Sequence, residues 1–140
     1  MFEPTAVPAV GDDERICRFI LQSNQFANNL VSHRAFLPYK YVELSVNRHS
    51  SATDSETWQA GKDVAAKRGR TLYGRADIST RDCKAIDLAV ISDPVEPEDG
   101  FAGNPNHAII VGFPSEKHEQ MSHAQSLAEA ANKQGGFCKV

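Results

Sequence analysis

At 140 residues the chain has the length of one domain and enough material for a real core. Its hydrophobic fraction of 41% and charged fraction of 24% are those of an ordinary globular protein, which argues against a disordered chain. The net charge of −3 excludes a general polyanion binder, so any contact with nucleic acid needs a local basic patch.

Residues 1–13 carry prolines, a glycine and acids without periodicity and are expected to form an irregular lead-in to a domain over 14–134. Glu14 to Leu21 is short and rich in β-branched and aromatic residues, which predicts a strand. From Ser23 to Lys40, asparagines and Pro38 favour turns while Phe26, Leu30, Val31, Phe36 and Leu37 favour burial. A loop with one helical turn packed on the core fits both. Tyr41 to Arg48 alternates as a half-buried strand does, placing Arg48 on the buried side with Val42, Leu44 and Val46.

Thr53-Asp54-Ser55-Glu56 forms a capping box, and Gly69 is suited to the residue just past a helix end. A helix over 54–68 follows, with Trp58, Gly61, Val64 and Ala65 on its inner face. Arg70 to Ala76 predicts a strand, Ser79 or Thr80 the cap of a short helix reaching Ala85, and Asp87 to Ile91 another strand. Ser92 to Asn106, with three prolines and two glycines, is a long loop. Loops of that length in a compact domain are often functional. His107 to Phe113 is a continuous apolar strand stopped by Pro114. Ser115 is expected to cap a last helix, with Met121, Ala124, Leu127, Ala128 and Ala131 on a narrow face and Gly135 and Gly136 at its end. Residues 135–140 are expected as a tail. The order implies an α+β fold: a single mixed or antiparallel sheet of four to five strands with two main helices packed on one face.

Cys17, Cys83 and Cys138 are scattered, without a CxxC pair or a Cys/His spacing typical of zinc, so neither a metal nor a cofactor is expected. Unpaired thiols suit a reducing compartment. The opening residues lack a signal peptide, and no apolar run approaches a membrane span. The expectation is a soluble cytoplasmic protein with no membrane partner.

The arginines carry the strongest hint of function. The stretch from Lys62 to Lys84 is locally basic, with Arg68, Arg70 and Arg75 across a helix end and the following strand. Arginine presents a planar fork that matches phosphate or carboxylate. Arg48 ends one strand and His107 opens another, so Arg48, Arg68, Arg70, Arg75 and His107 form a candidate anion-binding set. The plainer reading is that Arg68 complements a helix C-terminus, Arg75 pairs with Asp77 or another acid, and His107 fixes a turn. His49 and His107 could act as acid and base beside the arginines in phosphoryl transfer or RNA cleavage. His118 and His123 are five apart, off the spacing of helical metal ligands. Nothing around Cys83 resembles a nucleophile motif, and the acidic loop with Glu96, Glu98 and Asp99 suits a solvated segment. No phosphate-binding glycine loop, zinc-protease helix, calcium loop or nucleophile elbow occurs.

Three stretches, Leu44–Arg48, Arg68–Asp77 and Asn106–Pro114, resemble signature segments of a family of small stand-alone bacterial proteins labelled hypothetical. The resemblance extends from about Arg15 to Ala131 and includes the helix with Trp58. It implies a bacterial protein carried on mobile or accessory DNA. It transfers no catalytic residue and does not favour Cys83. Non-catalytic binding of an anionic ligand or partner is therefore the first expectation, the partner being a phosphate-containing small molecule, nucleic acid or an acidic protein. A small phosphodiester- or phosphate-processing enzyme using His107 or His49 is the second, and a homodimeric interaction protein the third.

Overall fold

A computed structural model describes residues 7–38, 42–49 and 52–140. Its main sheet has six strands: β1 (Arg15–Ile20), β4 (Leu44–Arg48), β5 (Gly74–Ser79), β6 (Ala89–Ser92), β7 (His107–Val111) and β8 (Phe137–Lys139). Their spatial order is β6-β7-β4-β1-β5-β8, and every neighbouring pair is antiparallel. The fold is thus α+β with an antiparallel sheet, one strand larger than expected from the sequence. The extra strand is β8, where a tail was expected. Its register pairs Arg75 with Cys138 and Ala76 with Phe137. Phe137 also stacks on Phe26, ring centres 4.1 Å apart. That ring docks the segment against a small hairpin of β2 (Phe26–Ala27) and β3 (Leu30–Val31).

Helix α1 (Asp54–Arg68) starts and stops where its sequence signals lie. Thr53 and Glu56 exchange side chain-to-backbone hydrogen bonds of 3.1 Å. Gly69 adopts φ 61° and donates to the Ala66 carbonyl, while the Arg70 amide donates to Ala65. This paired ending is the Schellman motif. It uses Arg70 in the turn, so β5 begins only at Gly74. Helix α2 (Thr80–Lys84) is capped by Ser79. Helix α3 (Lys117–Lys133) is capped by Glu116 rather than Ser115, its carboxylate accepting from the amides of His118 and Glu119. A carboxylate at a helix start also meets the positive end of the macrodipole.

The two long helices do not share a face. Ile16, Ile20, Leu44, Val46, Ala76, Ile78, Ala108 and Ile110 point to one side, where they form the core with Phe36 and α3's Ala124, Leu127, Ala128 and Ala131. Cys17 and Phe19 alternate with Ile16 and Ile20, so they point to the other side. There α1 lies so close that a Cβ on Gly61 would come within 2.8 Å of the Phe19 ring. The second face carries Asn47, Arg75 and Asp77 beside its apolar residues, so it lacks the continuous apolar pattern that would announce a helix over it, and both helices were expected on the first face. Among the described residues no helix is long and apolar enough to cross a membrane.

Two departures in the chain path matter for the site. The strand expected from Tyr41 starts at Leu44, because Val42 takes φ 51°; Tyr41 lies outside the described residues, as does Tyr39. Strands β1 and β4 pair only at Ile16–Arg48 and Cys17–Asn47, whereas β1 pairs with β5 along its whole length. The β1–β4 ladder therefore stops after Cys17.

Candidate functional site

Arg18 fills the gap where that ladder stops. Its position between Ile16 and Ile20 aims it at the core side, and its guanidinium replaces the missing strand contact. Nε donates to the Ala35 carbonyl and Nη1 to the Ser45 carbonyl, both at 2.9 Å. The rest of the group borders a cleft of about 700 Å³ whose walls include Arg34, Arg68 and Arg70 together with Gln22 and Asn24. Arg34 stands on a short helical turn, His33–Phe36, capped by Ser32. Arg68 and Arg70 flank the glycine turn at the end of α1. Among the described residues none of these four arginines forms an ion pair. Burial, and then repulsion from Arg68, push the Arg18 pKa down to about 10. Arg18 remains charged at neutral pH, held in place beside a like charge.

A second hollow of about 480 Å³ adjoins the first. Gln22, Asn24 and Arg70 belong to both, and Thr71 and Tyr73 line its far side.

Opposite this cleft, under α1, the polar residues of the second sheet face form a knot. Asp77 receives Arg15 on Oδ2, while Oδ1 lies 3.4 Å from Arg75 Nε and 3.5 Å from His49 Nε2. Arg75 is 5% exposed. It also donates to Asp54 at 3.1 Å and packs against the Trp58 ring. Burial alone would raise the Asp77 pKa, but His49, Arg75 and Arg15 together hold it below its ordinary value. Cys17 Sγ, a His49 ring nitrogen and an Asp77 oxygen lie within 4.8 Å of one another. These are donor types that zinc accepts. However, a divalent ion here would meet two guanidinium groups already engaged with Asp77, and burial followed by the Asp77 charge pushes the Cys17 thiol far up. Electrostatically the arrangement is closed by the arginines, and it works as a clasp between α1 and the sheet.

The anion-binding set expected from the sequence does not gather around one hollow. Arg48 is 3% exposed and grips Glu14 with both Nε and Nη2. Its remaining donors reach the carbonyls of Pro8 and Ala9, pinning the lead-in to the end of β4. Arg75 is taken up by the clasp. His107 Nδ1 lies 2.8 Å from the Asp93 carbonyl and 3.2 Å from its carboxylate, the loop-fixing arrangement. His107 and Arg68 do meet, in a cavity of about 180 Å³ beneath the 92–106 loop, which is smaller than most ligand pockets. Lys67 latches that loop to α1 through Glu98 and the Phe101 ring. His49 faces Asp77 and belongs to neither the cleft nor this cavity. Only Arg68 and Arg70 of the expected set reach the large cleft.

Arg18 and Arg34 were the residues missed. Arg18 carried a signal, since a charged residue at core-facing parity within a strand needs a special partner. Arg34 carried none, because its place depends on how an irregular turn folds back. Comparison with known protein families, with curated proteins and with solved structures finds no match to this chain.

Proposed function

We propose that this is a bacterial accessory protein that binds an anionic ligand, without catalysis, in the cleft between Arg18, Arg34, Arg68 and Arg70. The observation that carries the reading is that, among the described residues, these four cations have no ion-pair partner in a protein of net negative charge. The two buried arginines, Arg48 and Arg75, each have a carboxylate. Arg18 has only carbonyl acceptors and a like-charged neighbour. An incoming phosphate or carboxylate would relieve that repulsion and meet the Arg18 guanidinium already oriented, while Arg34, Arg68 and Arg70, exposed at the rim, would close on it at some cost in side-chain order. The backbone that carries Arg68 and Arg70 is set by a hydrogen-bonded turn, and the Arg18 guanidinium by two fixed carbonyls.

The test is ligand-induced stabilisation. Thermal unfolding with tripolyphosphate should show a rise in Tm that sodium chloride of equal ionic strength does not reproduce. At about 100 times Kd the gain is about 2.7 kcal/mol. Arg34→Ala and Arg70→Ala, both at exposed positions, should reduce the rise without unfolding the protein. An equal Tm in both salts would defeat the reading.

A further inference from the structure

The cavity beneath the 92–106 loop differs in character from the cationic cleft. One wall is a stripe of α1, where Ala60, Val64, Lys67 and Arg68 recur at helical spacing, and the other is the loop, through Val95 and Phe101. The loop is a hydrogen-bonded ladder. Val95 and Asn104 exchange backbone bonds of 2.9 and 2.7 Å, and Glu98 and Phe101 exchange bonds of 3.1 and 2.9 Å. The Asn104 carboxamide also donates to Asn47 at 2.7 Å. Between the two walls Val64, Val95 and Phe101 remain only half-buried around a shared space. Apolar groups facing a gap forgo dispersion contacts that an occupant would restore. The volume of about 180 Å³ sets the size of that occupant, since an apolar cavity of about 150 Å³ suffices for benzene.

Most polar groups around the cavity are already engaged. Asp63 accepts from Gln59, and Lys67 is paired with Glu98. His107 is half engaged. Its Nδ1 meets the carbonyl and the carboxylate of Asp93, both of which only accept, so Nδ1 carries the ring proton. In the neutral ring Nε2 is then an acceptor, and among the described residues it has no partner. A bare phosphate or carboxylate would bring Nε2 no donor and would leave the apolar walls uncovered. A hydroxylated aromatic ring supplies both. A phenolic O–H is a better donor than an alkyl hydroxyl, and the cations of Lys67 and Arg68 at the rim favour an electron-rich ring over a saturated one.

We propose that this cavity binds a small single-ring phenol, its hydroxyl donating to His107 Nε2 and its ring between α1 and the loop. The site is separate from the anion cleft. Its ligand is neutral, and of the four cleft arginines only Arg68 borders both spaces.

NMR titration of the isotope-labelled protein with phenol, anisole and cyclohexanol tests it. Phenol should give saturable amide shifts confined to residues around the cavity, with Kd on the order of 1 mM for a ligand of so few atoms. The His107 Nε2 resonance should move with phenol and stay in place with anisole. Anisole keeps the ring but lacks the donor and should bind about ten-fold more weakly. Cyclohexanol keeps a hydroxyl but lacks the π face and should bind about three-fold more weakly. Val64→Phe, which fills the space from α1, should abolish the phenol shifts. Circular dichroism shows whether that variant is folded, and the ligand series on the parent chain decides the matter if it is not. Arg34→Ala and Arg70→Ala should leave the phenol affinity unchanged while weakening the response to tripolyphosphate. Absence of saturable phenol shifts, or shifts centred away from the cavity, would overturn the proposal. So would anisole or cyclohexanol binding as tightly as phenol. A tripolyphosphate response without phenol binding would remove this site and keep the anion cleft, and phenol binding without a tripolyphosphate response would do the reverse.

Discussion

The Arg75 guanidinium lies 4.8 Å from the centre of the Trp58 ring, so α1 meets the sheet through a cation and an aromatic face where an apolar pair would be usual. The same guanidinium continues to Asp54 on the helix and Asp77 on the sheet. One side chain thus joins two layers, hydrogen-bonded to the acid on the helix and set as a counter-charge 3.4 Å from the acid on the sheet.

Removing that side chain should be costly. Arg75→Met leaves the Asp77 carboxylate, 12% exposed, short of its main buried counter-charge. A loss of about 3 kcal/mol is expected from breaking one half of such a pair. Urea unfolding measures it, and Arg75→Met with Asp77→Asn together should lose less than the single arginine change.

Asp77 should also shape acid stability. Its pKa is lower in the folded protein than the ordinary value near 3.8, so the folded state binds fewer protons than the unfolded one in that range. Its contribution is complete above the ordinary value and fades as pH falls through the depressed one. Chemical unfolding from pH 5 to about 2 should give a shallower loss of stability for Asp77→Asn than for the parent chain. Parallel curves would contradict the assignment.

Gly61→Ala should destabilise the protein even though alanine is the better helix former. The gain from propensity is about 1 kcal/mol. Against it, the new methyl would press on the buried Phe19 ring and approach Leu72 at 3.2 Å, an overpacking cost of about 1–3 kcal/mol. A net loss of about 1 kcal/mol is expected in urea titrations, and Gly61→Ala combined with Phe19→Leu should recover part of it.

Arg68→Ala should separate binding from stability. It removes the like charge beside Arg18 and also a cation from the last turn of α1, effects of opposite sign and similar size, so urea unfolding without ligand should change by less than about 0.5 kcal/mol. The same variant should bind tripolyphosphate more weakly, read as a smaller rise in Tm, and an undiminished rise would contradict the site.

The thiols should divide cleanly. Cys17 and Cys83 are buried and Cys138 is exposed. Burial, then the neighbouring Asp82, pushes the Cys83 pKa up to about 12, and Cys17 is raised further. Iodoacetamide on the native protein should label Cys138 alone, with all three residues labelled in denaturant, as read by mass spectrometry.

Local signals in the sequence were reliable where the chain interacts with itself over a few residues. The capping box at Thr53, the left-handed Gly69 and the alternation through Leu44, Val46 and Arg48 all translate directly into structure. What failed depends on distant partners. Phe137 to Lys139 is a strand only because β5 offers an edge to it and Phe26 offers a ring. The second face of the sheet mixes Asn47, Arg75 and Asp77 with Phe19, so no hydrophobic pattern announces that a helix covers it. For the site, the emphasis on arginine led to the right residue type and to Arg68 and Arg70. Arg48 looked equivalent to them because Glu14 lies far away in sequence, whereas the pairing of Arg75 with Asp77 was the plainer reading and is the one the structure has. Arg18 was hidden because the end of a ladder between β1 and β4 has no local signature.

The strand order has a kinetic corollary. Only β6 and β7 are neighbours both along the chain and across the main sheet; β1, near its middle, must find partners about thirty and about sixty residues further on. Such pairings require large loops to close before any contact rewards them. Folding should therefore take milliseconds to seconds, with the helices flickering into existence long before the sheet that orients the arginines has been assembled.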